Sequence, residues 1–176
     1  MPDIFDTAEE LYENVRAQDA KLSAIEDRVR FLIHQLTGYH ASNVGSFGLL
    51  LNLPGSDLDL AIGVTAEDRA CVLEACYRHG MTFKGERQTS ATTTRKVFEF
   101  LFEDVAVDLG ILPKGDFDFL VPCLERCRKE MTHGERIEHV WKKWRLKQEG
   151  RQQEYAELKL EPYARFCPSF LWRPIL

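Results

Sequence analysis

The sequence lacks any apolar run of the roughly 18 residues that a membrane-spanning helix requires. Its beginning, MPDIFDTAEELYENV, is acidic and polar and has neither the basic nor the apolar part of a secretory signal. The five cysteines are an odd number without a Cys-X-X-Cys pair, which disfavours a disulfide framework. These absences predict a cytoplasmic protein with free thiols and no membrane partner.

The sequence also lacks an excess of positive charge, an internal repeat and a low-complexity linker. Lys and Arg total 23 against 28 Asp and Glu, for a net charge of −5, which disfavours a long nucleic-acid footprint. The 176 residues, 44% of them hydrophobic, predict one domain. We expect an N-terminal helical segment (1–37), a catalytic core (38–112) and a C-terminal helical segment (113–176).

Hydrophobic periodicity predicts an α+β fold with a small mixed β-sheet. The first helix is expected over 8–36, as one helix or two with a break near 18–20, with Thr7 as N-cap and Gly38 as stop. Further helices are expected over 67–78, 117–131 and 135–148, and a last one ending near 160. The predicted strands are YHASNV, DLDLAIG, MTFKGERQ, KVFEFLFE and VAVDLGIL, with a tight hairpin at Glu103-Asp104. The tail CPSFLWRPIL is expected to be irregular.

The stretch VGSFGLLLNLPGSDLDLAIG places two aspartates in an apolar strand. Residues two apart in a strand point to the same face, so Asp57 and Asp59 share one face while Leu58 and Leu60 enter the core. Two like charges in such a place cost several kcal/mol unless a cation lies between them. Carboxylate oxygens suit Mg²⁺, with Mn²⁺ as the alternative, so this pair predicts a metal site that carries nucleotide phosphates.

A third acid, Asp108, lies in the strand VAVDLGIL. Its neighbours on the same face, Ala106 and Gly110, are small and leave room for its carboxylate. If the two acidic strands are adjacent, three carboxylates converge and hold two metals about 3.5–4 Å apart.

The Gly45-Ser46 step is expected to contact phosphate. A glycine at a strand end lets backbone N–H groups approach phosphate oxygens closely, and a serine at the start of a following helix adds a hydroxyl and the positive helix end. An ordinary strand-to-helix turn is the alternative interpretation. Arg95 and Lys96 are candidates for neutralising the triphosphate, or are edge-strand charges that oppose aggregation.

Two further motifs have structural interpretations that we prefer. Asp116-Phe117-Asp118 repeats the Asp-X-Asp pattern, but it opens a helix and is expected to cap it. Trp141 and Trp144 lie three apart on a helix and are expected in the core, with the lysines of WKKWRLK on the solvated face.

The order VGS, ten further residues, DLDL, and much later VDL resembles the signature of the DNA polymerase β-like nucleotidyltransferase superfamily. GSFGLLLNLPGSDLDL is similar to the first motif of terminal uridylyltransferases and non-canonical poly(A) polymerases. The resemblance implies that Gly45 and Ser46 contact the nucleoside triphosphate, ATP or another. It also implies that Asp57 and Asp59 bind both metals and that Asp108 completes the metal site on the nucleophile side.

In size and layout the chain looks like minimal nucleotidyltransferases and like GrpB-family proteins, which share the N-terminal helix, the VGS and Asp-X-Asp pattern and a helical region near EYAELK. That family usually lacks an acid where this chain has Asp108. About 65 residues follow Asp108, fewer than the helical domain that grips RNA in the polymerase subgroup needs. We therefore expect Mg²⁺-dependent nucleotidyl transfer to a small-molecule or protein hydroxyl. The alternatives are a non-catalytic or antitoxin-like binding partner and an RNA 3′-terminal transferase that needs a partner subunit.

Overall fold

A computed structural model describes residues 5–88 and 94–167. The elements in chain order are α1 (Ala8–Thr37), β1 (Ser42–Asn43), β2 (Leu58–Val64), α2 (Arg69–Arg78), β3 (Thr82–Gln88), β4 (Thr94–Phe102), β5 (Val105–Pro113), α3 (Lys114–Glu130), α4 (His133–Gln148) and α5 (Gln152–Phe166). The predicted irregular tail lies almost wholly outside the described residues.

The strands of the described residues form one five-stranded sheet in the order β1-β2-β5-β4-β3. β2 and β5 run parallel, and the other neighbouring strands run antiparallel. Glu103 and Asp104 connect β4 to β5 with φ values of 47° and 66°, the conformation of a tight two-residue hairpin. The predicted α+β fold with a small mixed sheet is confirmed.

Helix α1 begins and ends at the predicted residues. The Thr7 side chain accepts a hydrogen bond from the Glu10 amide at 3.1 Å. At the other end Gly38 has a φ of 74° and its amide donates to the His34 carbonyl at 2.8 Å, as a glycine C-cap does. The helix is continuous over 30 residues, so the alternative of a break near residues 18–20 was wrong.

Two hydrophobic layers enclose the sheet. One layer joins the C-terminal half of α1 and helix α2 to the side chains of Leu58, Leu60, Phe98, Val107 and Leu109. The other joins the N-terminal half of α1, the loop between β1 and β2, and helices α3, α4 and α5 to Ala61 and Leu112. The alternation along β2 and β5 thus decides which layer each side chain enters.

The residues after Gly45 form a turn, with the Leu51 amide donating to the Ser46 carbonyl at 2.7 Å. A turn was one of the two expected forms of this stretch, and a short helix was the other. Helix α3 begins at Lys114, so Asp116 lies in its first turn, and the prediction that it is the N-cap was wrong. Both features lie at element boundaries, where tertiary packing overrides local signals.

No helix within the described ranges is both long and apolar enough to cross a membrane. The five cysteines all lie within these ranges, and each is a free thiol.

His139 of α4 is a buried polar side chain with 7% of its surface exposed. Burial, followed by the nearby charges of Lys143 and Lys142, lowers its pKa to about 4. The Glu161 carboxylate lies 4.0 Å from its Nδ1 and would favour the charged form, but Glu161 is exposed and the distance is long. Burial and the two lysines therefore decide, and His139 is neutral at pH 7.

We expect the free energy of unfolding to fall as the pH drops from about 6.5 to about 4. The unfolded chain takes up a proton near the ordinary pKa of His, whereas the folded chain does so only near its lowered pKa. The stabilisation that comes from neutral His139 is therefore complete above pH 6.5, and on the order of 2–3 kcal/mol of it is lost as the pH falls toward 4. Urea unfolding of the wild type and of His139→Gln at pH 7.5 and 4.5 measures this, and an equal pH dependence in both proteins contradicts it.

Candidate active site

The parallel pairing of β2 with β5 brings two of the predicted acids side by side. Its register places Asp59 opposite Asp108, with Leu58 opposite Val107 and Leu60 opposite Leu109. The four aliphatic side chains are at most 1% exposed and lie on the other face. Asp57 immediately precedes β2 and lies on the side of Asp59, so all three predicted acids approach one another.

The acids differ in exposure and repel one another. Asp108 is buried, Asp59 is half-buried and Asp57 is exposed. Burial raises the pKa of Asp59, and the neighbouring Asp108 carboxylate raises it further. The pKa of Asp57 is raised by the same two causes in the same order. Nearby cations, Lys84 and Lys159 for Asp57 and Lys159 and Arg95 for Asp59, offset part of this repulsion. Carboxylates gathered in this way favour a bound cation.

Lys84 of β3 is in direct contact with the cluster. Its Nζ donates to both carboxylate oxygens of Asp108, each at 3.0 Å, and to Glu99 Oε2 at 2.9 Å. Burial alone would lower the pKa of Lys84, but the hydrogen bonds with Glu99 and Asp108 outweigh it and raise the pKa. Glu99 pairs with Asp108 in the β4–β5 register, so it is a fourth acid beside the three predicted ones.

Of the two predicted phosphate-binding cations, Arg95 lies near the acids and Lys96 does not. Burial, with the nearby Arg87, lowers the pKa of Arg95 to about 10, while the charges of Asp59 and Asp108 act in the opposite sense. The Lys96 ammonium pairs with Glu86 and lies 5.4 Å from the centre of the Phe83 ring. It is on the face of the sheet opposite to the acids.

Gly45 packs directly against the acid cluster. A Cβ atom at this position would lie 2.4 Å from both Cβ and Oδ2 of Asp59, which no side chain tolerates. The Gly45 amide donates to Asn43 Oδ1 at 3.1 Å, and the Gly48 amide donates to the same oxygen at 3.1 Å. Ser46 is half-buried in the turn that follows, so no helix dipole supports it here.

Helices α4 and α5 fasten the loop that carries Gly45. Lys143 Nζ donates to the Leu51 carbonyl at 2.6 Å, and the Tyr163 hydroxyl donates to the Val44 carbonyl at 2.9 Å. Lys143 is 2% exposed, so the prediction that it lies on a solvated face was wrong. Burial, followed by the charge of Lys159, lowers its pKa to about 7. Lys159 itself is exposed and acts electrostatically on Asp57 and Asp59.

The other motifs belong to the packing. Trp141 and Trp144 stack with ring centres 5.3 Å apart and pack against the core, as predicted. Phe117 contacts the backbone of Gly63, and Asp118 accepts a hydrogen bond from Lys114 at 2.8 Å.

The donor chemistry fits a hard divalent cation. The facing groups are carboxylates, and burial, followed by repulsion from Asp108, raises the pKa values of Asp57 and Asp59. Across residues 5–88 and 94–167, however, no group of three acidic, histidine or cysteine side chains holds a metal as it stands. The Lys84 ammonium donates to both oxygens of Asp108. That Asp57, Asp59 and Asp108 hold Mg²⁺ stays a prediction from the sequence.

Several residues of this site were missed from the sequence, namely Asn43, Lys84, Glu99, Lys143, Lys159 and Tyr163. A weak signal existed for Lys84, because Gly85 interrupts a strand pattern and such a glycine often marks a bulge. The others depend on contacts between elements distant in sequence.

We expect Gly45→Ala to displace the Asp59 carboxylate and to lower the free energy of unfolding by about 1–3 kcal/mol, because the added methyl overlaps it. Gly134→Ala is the control, since a Cβ there meets no atom within 4 Å and alanine favours its helix. Chemical denaturation compares the two variants. Wild-type stability in Gly45→Ala would show that the loop does not press on Asp59.

Comparisons with known proteins bear on this geometry. No protein-family model and no curated protein matches the sequence. Among solved structures, a cytoplasmic RNA terminal U-transferase matches with a TM-score of 0.54 and 16% identity, covering 80% of this chain and 45% of that one. Cid1, described with RNA terminal uridylyl transferase activity, matches with a TM-score of 0.52 and 14% identity, covering 80% of this chain and 44% of that one. Cid1 with bound MgGTP matches with a TM-score of 0.50 and 15% identity, covering 78% of this chain and 47% of that one.

The chain therefore spans less than half the length of these structures. At such identities the likeness concerns the fold. The chain has the mixed α+β fold of the nucleotidyltransferases.

Proposed function

We propose that the protein transfers a nucleoside monophosphate from a nucleoside triphosphate to an acceptor hydroxyl and releases pyrophosphate. The observation that carries this proposal is the pairing of Asp59 with Asp108 across two parallel strands, with Asp57 two residues before. The backbone of Gly45 lies against the same carboxylates, where a nucleotide's phosphates would meet the metal-binding acids. The fold of the RNA terminal transferases supports the same chemistry.

In this proposal Asp57, Asp59 and Asp108 hold Mg²⁺, or Mn²⁺ in its place. A metal bound there would neutralise phosphate charge and activate the attacking hydroxyl. Gly45 and Ser46 line the phosphate side of the site. Arg95 is half-buried near Asp59 and Asp108 and adds positive charge for the phosphates. Lys96 has no part in this site, because it lies on the opposite face.

The transfer itself joins the acceptor oxygen to the α-phosphorus. The bond between the α-phosphorus and the oxygen bridging to the β-phosphate breaks, and pyrophosphate leaves with that electron pair. The proton of the acceptor hydroxyl passes to a carboxylate of the cluster. The protein's contribution is to position the groups and to neutralise charge rather than to form a covalent bond.

For the acceptor, a small molecule or a protein remains the prediction from the acidic composition and the length of the chain. An RNA 3′ end is the second candidate. The observation in its favour is that the similar structures belong to RNA terminal transferases. An RNA-binding surface would then come from a partner or from a further part of the protein, because the described residues align with less than half of those structures.

We expect nucleoside triphosphate with Mg²⁺ to raise the midpoint of thermal unfolding, because a ligand that binds only the folded state stabilises it. Each of the four ribonucleotides is tested with and without the metal. Asp57→Asn and Asp108→Asn should abolish the metal-dependent shift and lower turnover by roughly a hundredfold or more, while the fold is retained. Full turnover in either variant would overturn the proposal.

Asp118→Asn is the matched control, because it removes an aspartate from the other Asp-X-Asp sequence. Its exposed ion pair with Lys114 contributes at most about 1 kcal/mol. The metal-dependent shift should persist in this variant. A nucleotide-induced shift without product, together with a stable protein complex, would favour the non-catalytic binding partner instead.

The acceptor is identified with α-phosphate-labelled nucleotide of the type that gives the shift. The label is offered with an RNA oligonucleotide, with a mixture of small hydroxyl compounds and with the protein alone. Label in the RNA supports an RNA 3′ end as the acceptor. The affinity of the protein for that RNA should then weaken steeply with salt. Label in a small molecule or in protein supports the first.

A further inference from the structure

Strand β3 contains a bulge beside the acid cluster. Phe83 pairs with Phe98 of β4, but Val97 pairs with Gly85, so Lys84 is the extra residue in the ladder. Gly85 has a φ of 129°, a conformation that side-chain-bearing residues rarely adopt. A bulge of this kind often redirects side chains next to an active site.

The bulge changes which residues of β3 face the acids. In an uninterrupted ladder Lys84 and Glu86 would share a face, because they are two apart. With the extra residue, Glu86 pairs with Lys96 on the far side, and Arg87 pairs with Arg95. Arg87 then acts electrostatically on Asp108 and Asp59. Lys84 would face the acids in either case, so what the bulge adds is to bring Arg87 to the same side and to turn the acid Glu86 away.

The Lys84 ammonium uses all three of its donors on two carboxylates. It bonds to both oxygens of Asp108 and to one oxygen of Glu99. Both oxygens with which Asp108 would hold a metal are thus engaged. The two partners differ in exposure. Asp108 is buried, whereas the Lys84 side chain is 30% exposed and comes from the edge strand of the sheet, so the lysine is the partner that is free to move away.

We propose that Lys84 is a built-in counter-ion of Asp108 that a divalent cation must displace, and that Glu99 holds the ammonium once it has left Asp108. The proposal rests on the proposed function, since it assigns a competitor to the same metal site. It gives Lys84 and Glu99 a role in setting metal affinity without contact to substrate.

Glu99 is well placed for this role. It lies directly opposite Asp108 in the β4–β5 register, so the ammonium changes partners by a small movement. The Glu99 side chain is 40% exposed, and the lysine stem is long and flexible, so the displaced pair stays at the surface. The exchange therefore needs no rearrangement of the sheet.

The test measures Mn²⁺ affinity by isothermal titration calorimetry, with Mn²⁺ as the probe and no nucleotide present. Lys84→Met keeps the aliphatic stem and removes the charge. We expect it to bind Mn²⁺ at least about tenfold more tightly than the wild type, because an opposite charge beside a carboxylate shifts its cation equilibria by roughly one to three decades. The gain should be absent in the Asp57→Asn background.

Glu99→Gln tests the proposal that Glu99 holds the displaced ammonium, and it should change Mn²⁺ affinity in the direction opposite to Lys84→Met. Without Glu99 the ammonium has only Asp108, so Mn²⁺ should bind several-fold more weakly than to the wild type. If Glu99 acts through Lys84, the same substitution in the Lys84→Met background should change affinity little, which a double-mutant cycle resolves. An equal loss in both backgrounds would overturn the role given to Glu99.

Two controls match these variants. Glu86→Gln removes the acid of β3 that pairs with Lys96 on the opposite face. Lys114→Met removes a lysine from an exposed pair with Asp118. Neither should alter Mn²⁺ affinity.

The outcomes separate this inference from the proposed function. Mn²⁺ binding that is equal in the wild type and Lys84→Met, and lost in Asp57→Asn, overturns the counter-ion and leaves the metal site. No Mn²⁺ binding in either protein overturns both. Binding that appears only in Lys84→Met supports the counter-ion strongly. Should Lys84→Met fail to fold, Lys84→Gln takes its place in the same measurements and in the double-mutant cycle.

Discussion

The parallel pairing of β2 with β5 is the constraint on which the rest of the site depends. Its register sets Asp59 opposite Asp108, and the alternation of the strands sends Leu58, Leu60 and Leu109 into the opposite layer. A slip of one residue in either strand would bury its acid in the hydrophobic layer and expose leucine on the acidic face. The burial of these aliphatic side chains therefore fixes the position of the carboxylates.

Bringing like charges together creates a second requirement, because each buried carboxylate needs positive charge nearby. The antiparallel strands β3 and β4 supply Lys84, Arg87 and Arg95, and the bulge in β3 places Arg87 on the side of the acids. Helices α4 and α5 approach from the other side with Lys143 and Lys159. The acid cluster is thus surrounded by cations from four elements, and any metal or phosphate that binds there must exchange charge with them.

The loop between β1 and β2 links the two requirements. It has little secondary structure of its own, yet Asn43, Lys143 and Tyr163 hold its backbone by hydrogen bonds. Its glycine touches Asp59, so the loop and the acid constrain each other. The Gly-Ser step was recognisable in the sequence as a candidate site, but the choice between a turn and a short helix after it was not, because the turn is held by distant side chains rather than by local propensity.

The sequence alone determined the features that depend on neighbouring residues. These are the capped first helix, the Glu103-Asp104 hairpin, the mixed sheet and the common face of Asp57 and Asp59, because side-chain alternation and backbone preferences act over a few residues. Only the tertiary structure decided which cations meet the acids. It placed Arg95 beside them, set Lys96 on the other face, buried Lys143 and delivered Lys84 through a bulge. Register and helix packing join residues far apart in the chain, and no local pattern encodes such contacts.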